Sequence, residues 1–168
     1  EEYLKSRKYD DRINGIAFYK DKKMKIFFDI VQPNKDKISN NLNAGTLSFE
    51  LSSLGEKIIT NCGASESLGK NPEYLRYSAA HSTIVLQNTN ISEIRENNPH
   101  VKYPQSVKFN LYERNNETVF EGSHNGYINK YQKIIKRSLK IKNDSNKLIG
   151  EDTIISLKNK NDRIMYHI

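Results

Sequence analysis

Met24-Lys25-Ile26-Phe27-Phe28-Asp29-Ile30-Val31 is the stretch on which the fold turns. Met24, Ile26, Phe28 and Ile30 alternate with Lys25, Phe27 and Asp29, and a strand sends alternate residues to opposite faces. Upstream, Ile13 to Tyr19 has strand character too, and Lys20-Asp21-Lys22-Lys23 joins the two runs as a turn. Downstream, Pro33 to Asn43 is polar and Asn-rich, which suits a loop and not a central strand. Leu47, Phe49 and Leu51 then alternate with Ser48 and Glu50, and Ser52-Ser53-Leu54-Gly55 turns the chain into Lys57-Ile58-Ile59-Thr60.

The same punctuation continues. Asn61-Cys62-Gly63-Ala64 makes a tight strand exit. Pro72 to Ala80 predicts a short helix, with Asn71 as N-cap and Pro72 in the first position. Ser82 to Leu86 is the next strand; Ser106 to Glu113 and Thr118 to Ser123 flank a hairpin turn at Arg114-Asn115-Asn116-Glu117. Tyr127 to Lys142 is a long extended candidate, followed by Asp152 to Leu157 and Arg163 to Ile168. Residues 1–12 are charged and unpatterned, a linker or entry segment, and residues 13–168 form the domain. About eight short strands with at most one short helix predict an all-β fold, an antiparallel two-layer β-sandwich. The β-patterned ending at Met165-Tyr166-His167-Ile168 leads us to expect a domain truncated at its C-terminal end.

The chain has 168 residues, 36% of them apolar, no Trp, and more Tyr (10) than Phe (6). That mixture suits a β-rich domain with a wet face, since Tyr buries its ring and hydrates its hydroxyl. No apolar run is long enough for a membrane span. Cys62 is the single cysteine, so no internal disulfide is available, and beside Gly63 it reads as a small buried residue and not a nucleophile. The net charge of +7 admits an anionic partner, or lysines scattered over a solvated surface. Lys130, Lys133, Lys136, Arg137, Lys140, Lys142 and Lys147 against Asp144 form the densest basic stretch; on paired strands, alternate members share a face on which a polyanion fits. Nucleic acid is disfavoured, because there is neither a basic helix nor an aromatic-rich RNA-binding motif. No Ser-His-Asp spacing, phosphate loop or Cys-x-x-Cys occurs.

Six segments in order carry a resemblance: Asn43-Ala44-Gly45-Thr46-Leu47-Ser48-Phe49-Glu50-Leu51, Asn61-Cys62-Gly63, Ala79-Ala80-His81-Ser82-Thr83, Ser123-His124-Asn125-Gly126-Tyr127, Arg137-Ser138-Leu139 and Gly150-Glu151-Asp152. Together they are similar to the heparinase II/III-like family of polysaccharide lyases, bacterial enzymes, and to its C-terminal β-sandwich. The resemblance implies a helical toroid domain elsewhere in the full-length protein, an anionic, uronic-acid-containing polysaccharide as partner, and a periplasmic setting; the residues themselves name no compartment. It also implies β-elimination, in which a uronate carboxylate is neutralised, a base takes the proton beside it and an acid protonates the leaving oxygen.

The family's His-x-His-x-Asp stretch falls on Asn41-Leu42-Asn43-Ala44-Gly45, and its metal-ligand carboxylate falls on Asn61. His81 keeps the third ligand position. Asn cannot exchange a proton near neutral pH, and zinc prefers Cys, His and carboxylates. Some family members hold zinc here; a degenerate set of Asn43, Asn61 and His81 predicts no metal cofactor. The resemblance makes His81 and Asn41 the catalytic candidates, and makes His124, Tyr127, Lys130 and Arg137 candidates for substrate binding. On its own residues His81 reads equally as a core histidine, His124 as a turn residue before Asn125-Gly126, Tyr127 as an inward ring, and Arg137 as the partner of Glu151 or Asp152. Two functions stay open: a lyase domain inactive when isolated, and a non-catalytic module gripping an anionic glycan.

Overall fold

The computed structural model describes residues 9–11, 15–33, 43–62, 73–94, 102–143, 145, 147–158 and 162–167. The chain divides into two compact units, Glu1–Pro104 and Gln105–Ile168. Each carries one five-stranded antiparallel sheet with strands in sequence order. The chain is all-β, the two antiparallel sheets being those a β-sandwich requires, and no long helix occurs among the described residues.

In the first unit β1 (Tyr9–Asp11), β2 (Ile16–Lys20), β3 (Met24–Asp29), β4 (Phe49–Ser53) and β5 (Glu56–Ile59) form the sheet. The alternation in β3 sets its faces. Cross-strand rows Ala17–Phe28–Phe49 and Tyr19–Ile26–Leu51 are buried, while the opposite face carries Ile16 against Asp29, and Phe18 against Phe27 against Glu50. The β2–β3 turn is held by Asp21, whose carboxylate accepts from the amides of Lys23 (2.8 Å) and Met24 (2.6 Å). That Asx-type bonding is the physical reason an Asp punctuates the lysines there.

In the second unit β6 (Val107–Arg114), β7 (Glu117–His124), β8 (Lys133–Lys142), β9 (Lys147–Ser156) and β10 (Asp162–His167) form the sheet. Its more buried face is built in rows: Leu111–Phe120–Leu139–Gly150, then Phe109–Gly122–Arg137–Asp152, then Val107–His124–Ile135–Ile154. The β6–β7 hairpin turns on Asn115 and Asn116, both at positive φ (50° and 59°), the backbone a two-residue hairpin loop demands.

Four expectations need correction. The entry segment is not wholly structureless, since Tyr9–Asp11 pairs with Ile16–Phe18. Residues 73–80 form two short 3₁₀ turns, Glu73–Arg76 and Ser78–Ala80, in place of one continuous short helix; Asn71 and Pro72 lie outside the described residues. Ser82 to Leu86 is not a strand: the Ser82 hydroxyl accepts from the Phe49 amide (2.8 Å) and donates to the Phe49 carbonyl, taking by side chain the bonds a strand partner would take by backbone. Tyr127 to Lys142 is not extended throughout. A single helical turn, α1 (Ile128–Tyr131), precedes β8, and Gln132 at φ 55° reverses the chain between them.

Candidate functional site

A cavity of about 470 Å³ lies on the less buried face of the first sheet. The sheet supplies Ile16, Phe27, Asp29 and Glu50, and the loops supply Asn43, Gly45, Ser48, Asn61 and His81. The segment from Asn43 to Ser48 is fixed by bonds from distant residues. Ala44 donates to the Arg76 carbonyl (2.8 Å), Ser78 Oγ donates to the Ala44 carbonyl (2.7 Å), and Thr83 Oγ1 donates to the Thr46 carbonyl (2.8 Å). Leu47 takes φ 62°, a left-handed conformation uncommon for Leu, and its buried side chain and amide bond to the Asp29 carbonyl (3.0 Å) hold it there.

His81 follows the second 3₁₀ turn with an extended backbone. Gly45 lets its ring in: a Cβ at position 45 would stand 3.2 Å from His81 Cγ and 3.3 Å from Ser48 Oγ. His81 Nε2 is buried with no hydrogen-bond partner, and so is Asn43 Oδ1. Burial lowers the His81 pKa, with Glu50 opposing, so the ring is neutral at pH 7. Asn61 is bonded on every side. Its backbone amide donates to Glu50 Oε1 (3.2 Å), its Nδ2 to Ser48 Oγ (3.3 Å), and its Oδ1 accepts from the Ser82 amide (2.8 Å).

Asp29 and Glu50 are site residues that the sequence reading missed. Asp29 is half-buried, and desolvation pushes its carboxyl up to about 7 against the lowering effect of the Val31 amide, which donates to Oδ1 at 2.9 Å. Asp29, with a carboxyl titrating near neutrality, and the neutral His81 imidazole line the same cavity, and perturbed titrating groups in a cavity mark a candidate functional site. The available signal was an acid enclosed by Phe27-Phe28 and Ile30-Val31.

The other candidates stand elsewhere. Asn41 lies outside the described residues. Arg137 is buried and makes a two-point ion pair with Asp152, so its fork is engaged within the protein. His124 is buried, its Nδ1 accepting from the Gly126 amide (3.1 Å), and burial followed by Arg137 pushes its pKa down to about 3. Tyr127 is 1% exposed and stacks near His124 and Tyr131, with ring centroids 5.8 and 6.1 Å apart. His124, Tyr127 and Arg137 are thus buried within the second unit, the ring and imidazole packed together and the guanidinium engaged by Asp152. Lys130 is exposed, its ammonium 5.1 Å from the Tyr131 ring centroid. Cys62 is exposed as well, not the buried residue expected.

Zinc does not fit this lining. Of the three positions where the family resemblance puts ligands, Asn61 already uses both ends of its amide, Asn43 offers a neutral oxygen, and only His81 is a good zinc donor. No group of three His, Cys, Asp or Glu able to hold a metal occurs among the described residues. No helix among them is long and apolar enough to cross a membrane.

A family model described as "Heparinase II/III-like, C-terminal" matches residues 12–168. No curated protein and no solved structure gives a match.

Proposed function

The chain belongs to the heparinase II/III-like family through its C-terminal domain, and from that premise we propose that it is the β domain of a polysaccharide lyase acting by β-elimination on uronic-acid-containing polysaccharide. The observation that carries the reading is that Asp29 and His81 both line one cavity. Asp29, titrating near 7, and neutral His81 are suited to move the proton that the leaving oxygen takes up, an oxygen that stays on the sugar next to the uronate. In β-elimination the C5 proton leaves to the base, the C4–O bond breaks, and its electron pair goes to the oxygen, which is then protonated. Asn41 and Asn43, where the family resemblance places His, cannot move a proton. The helical domain of the full-length protein supplies the remaining groups, and the isolated chain is inactive.

The second reading, a non-catalytic module for anionic glycans, is favoured by Asn41, Asn43 and Gly45, which stand where the family resemblance places two His and an Asp. Product absorbance separates the two. The full-length protein on a polyuronate panel yields the conjugated unsaturated uronide if it is a lyase and none if it only binds. Persistent absence of product across the panel rejects the lyase.

A further inference from the structure

The cavity lining has a chemical bias. Phe27 and Ile16 are 46% and 44% exposed on the same sheet face, and the Phe27 ring is steadied by Phe18 at 4.8 Å between centroids. The same cavity is lined by the polar residues Asn43, His81, Asp29 and Glu50. Two of these residues carry buried polar atoms without a hydrogen-bond partner, Asn43 Oδ1 and His81 Nε2, and such atoms are costly to leave so. Asp29 and Glu50 add carboxyl oxygens. The volume, about 470 Å³, falls in the range of roughly 300–1,000 Å³ typical of small-molecule sites.

An occupant must therefore be apolar on one face and donor-rich on its rim, and a third carboxylate is unwelcome. A sugar ring offers this: its C–H face packs on an aromatic, and its hydroxyls donate. Resting on the reading of the chain as a polysaccharide-lyase domain, we infer that this cavity receives a sugar residue carrying no carboxylate, the neutral neighbour of the uronate in the polymer. Recognition of the uronate's charge then lies outside this cavity.

The proton inventory adds a pH signature. The titratable groups facing Asp29 in the cavity are Glu50 on β4 and His81 after the second 3₁₀ turn. Asp29 ionises near pH 7. A uronate ligand meets growing repulsion as pH rises through 7, whereas a neutral sugar carries no charge to repel.

The test uses the 168-residue chain and amide NMR titration at pH 7.5 with matched disaccharide pairs. The two members of a pair differ only in bearing a hydroxymethyl or a carboxylate at C5. The glucose, galactose, mannose and N-acetylglucosamine series are covered. At least one neutral member is expected to shift the amides of Phe27, Gly45 and His81, with a Kd at least tenfold below that of its uronate partner. Phe27→Ala removes the shifts, and Asp29→Asn narrows the gap between partners. A uronate that binds as tightly as its neutral partner overturns the inference. So does silence at those amides across the whole panel, or saturation of the same amides by calcium alone with no response to sugar. Lyase activity is read separately, from the unsaturated product of the full-length protein, so either reading can fail without the other.

Discussion

Arg137 on β8 and Asp152 on β9 stand directly opposite one another and close a two-point ion pair at 2.7 and 2.8 Å, each side chain about 6% exposed. The pair sits in a cross-strand row with Gly122 and Phe109, one row from His124. Gly122, bearing no side chain, stands beside the arginine in that row. Removing one partner strands a buried charge. Arg137→Met is therefore expected to cost about 3–5 kcal/mol, with the double change Arg137→Met plus Asp152→Leu recovering much of it. Urea unfolding of the two variants checks this; equal losses in the single and double variants would contradict it.

Asp29 and His124 impose opposite pH dependences on the fold. Asp29 is raised from 3.8 to about 7, so its contribution is full below pH 3.8 and is lost as pH rises through 7. His124 is lowered from 6.5 to about 3, so its contribution is full above 6.5 and is lost as pH falls toward 3. Each changes the folding constant by at most tenfold per pH unit. Between pH 4 and 6.5 the two slopes oppose. Asp29→Asn should raise Tm at pH 8 and steepen the acid loss, while His124→Gln should flatten that loss. Melting curves from pH 4 to 8 decide it, and identical profiles for wild type and both variants would refute the assignment.

How much of this was legible follows from where each constraint lives. The strand runs Met24 to Asp29 and Val107 to His124 were readable because period-two alternation and hairpin punctuation are local. The faces came with them. Local pattern could not show that residues 43–48 and His81 line a cavity with Asp29, because the bonds holding them there run from Arg76, Ser78 and Thr83. The turn at Ile128–Tyr131 was hidden for a different reason. Its end depends on Gln132 in a left-handed conformation that no Gly or Asn announced. His81 was found through resemblance, while Asp29 required the fold.

Ser78 links the two halves of the cavity's support. It is fully buried, donates to the Ala44 carbonyl at 2.7 Å and accepts from the Ile91 amide at 2.9 Å. Ser78→Ala leaves a buried carbonyl and a buried amide unpaired, for a loss of about 1–3 kcal/mol. Because Ala44 stands between Asn43 and Gly45, the NMR signals of those two residues should broaden or shift as well. Ser78→Thr, which keeps the hydroxyl, should disturb them less than Ser78→Ala. Unchanged Asn43 and Gly45 signals in Ser78→Ala would separate this residue from the cavity.

At Gly45 family pattern and packing conflict. The resemblance places an Asp there, and restoring it is the obvious way to rebuild a metal site. The geometry opposes this, since even a Cβ would lie 3.2 Å from the His81 ring and 3.3 Å from Ser48 Oγ. Contacts that tight demand movement, and the rest of the carboxylate needs more room still. Asp at 45 would also bring a third carboxyl into a cavity that already holds Asp29 and Glu50. Gly45→Asp should therefore lower stability by about 1–3 kcal/mol, the usual cost of overpacking, and should bind no stoichiometric zinc. Gly45→Ala should show part of the loss without the charge. Removing the ring by His81→Ala in the Gly45→Asp background should return part of the stability, because the two side chains compete for one space. Thermal melts of the three variants with elemental analysis test the point. Stoichiometric zinc in Gly45→Asp, or a simple sum of losses in the double variant, would show that the His81 ring is not what keeps position 45 bare.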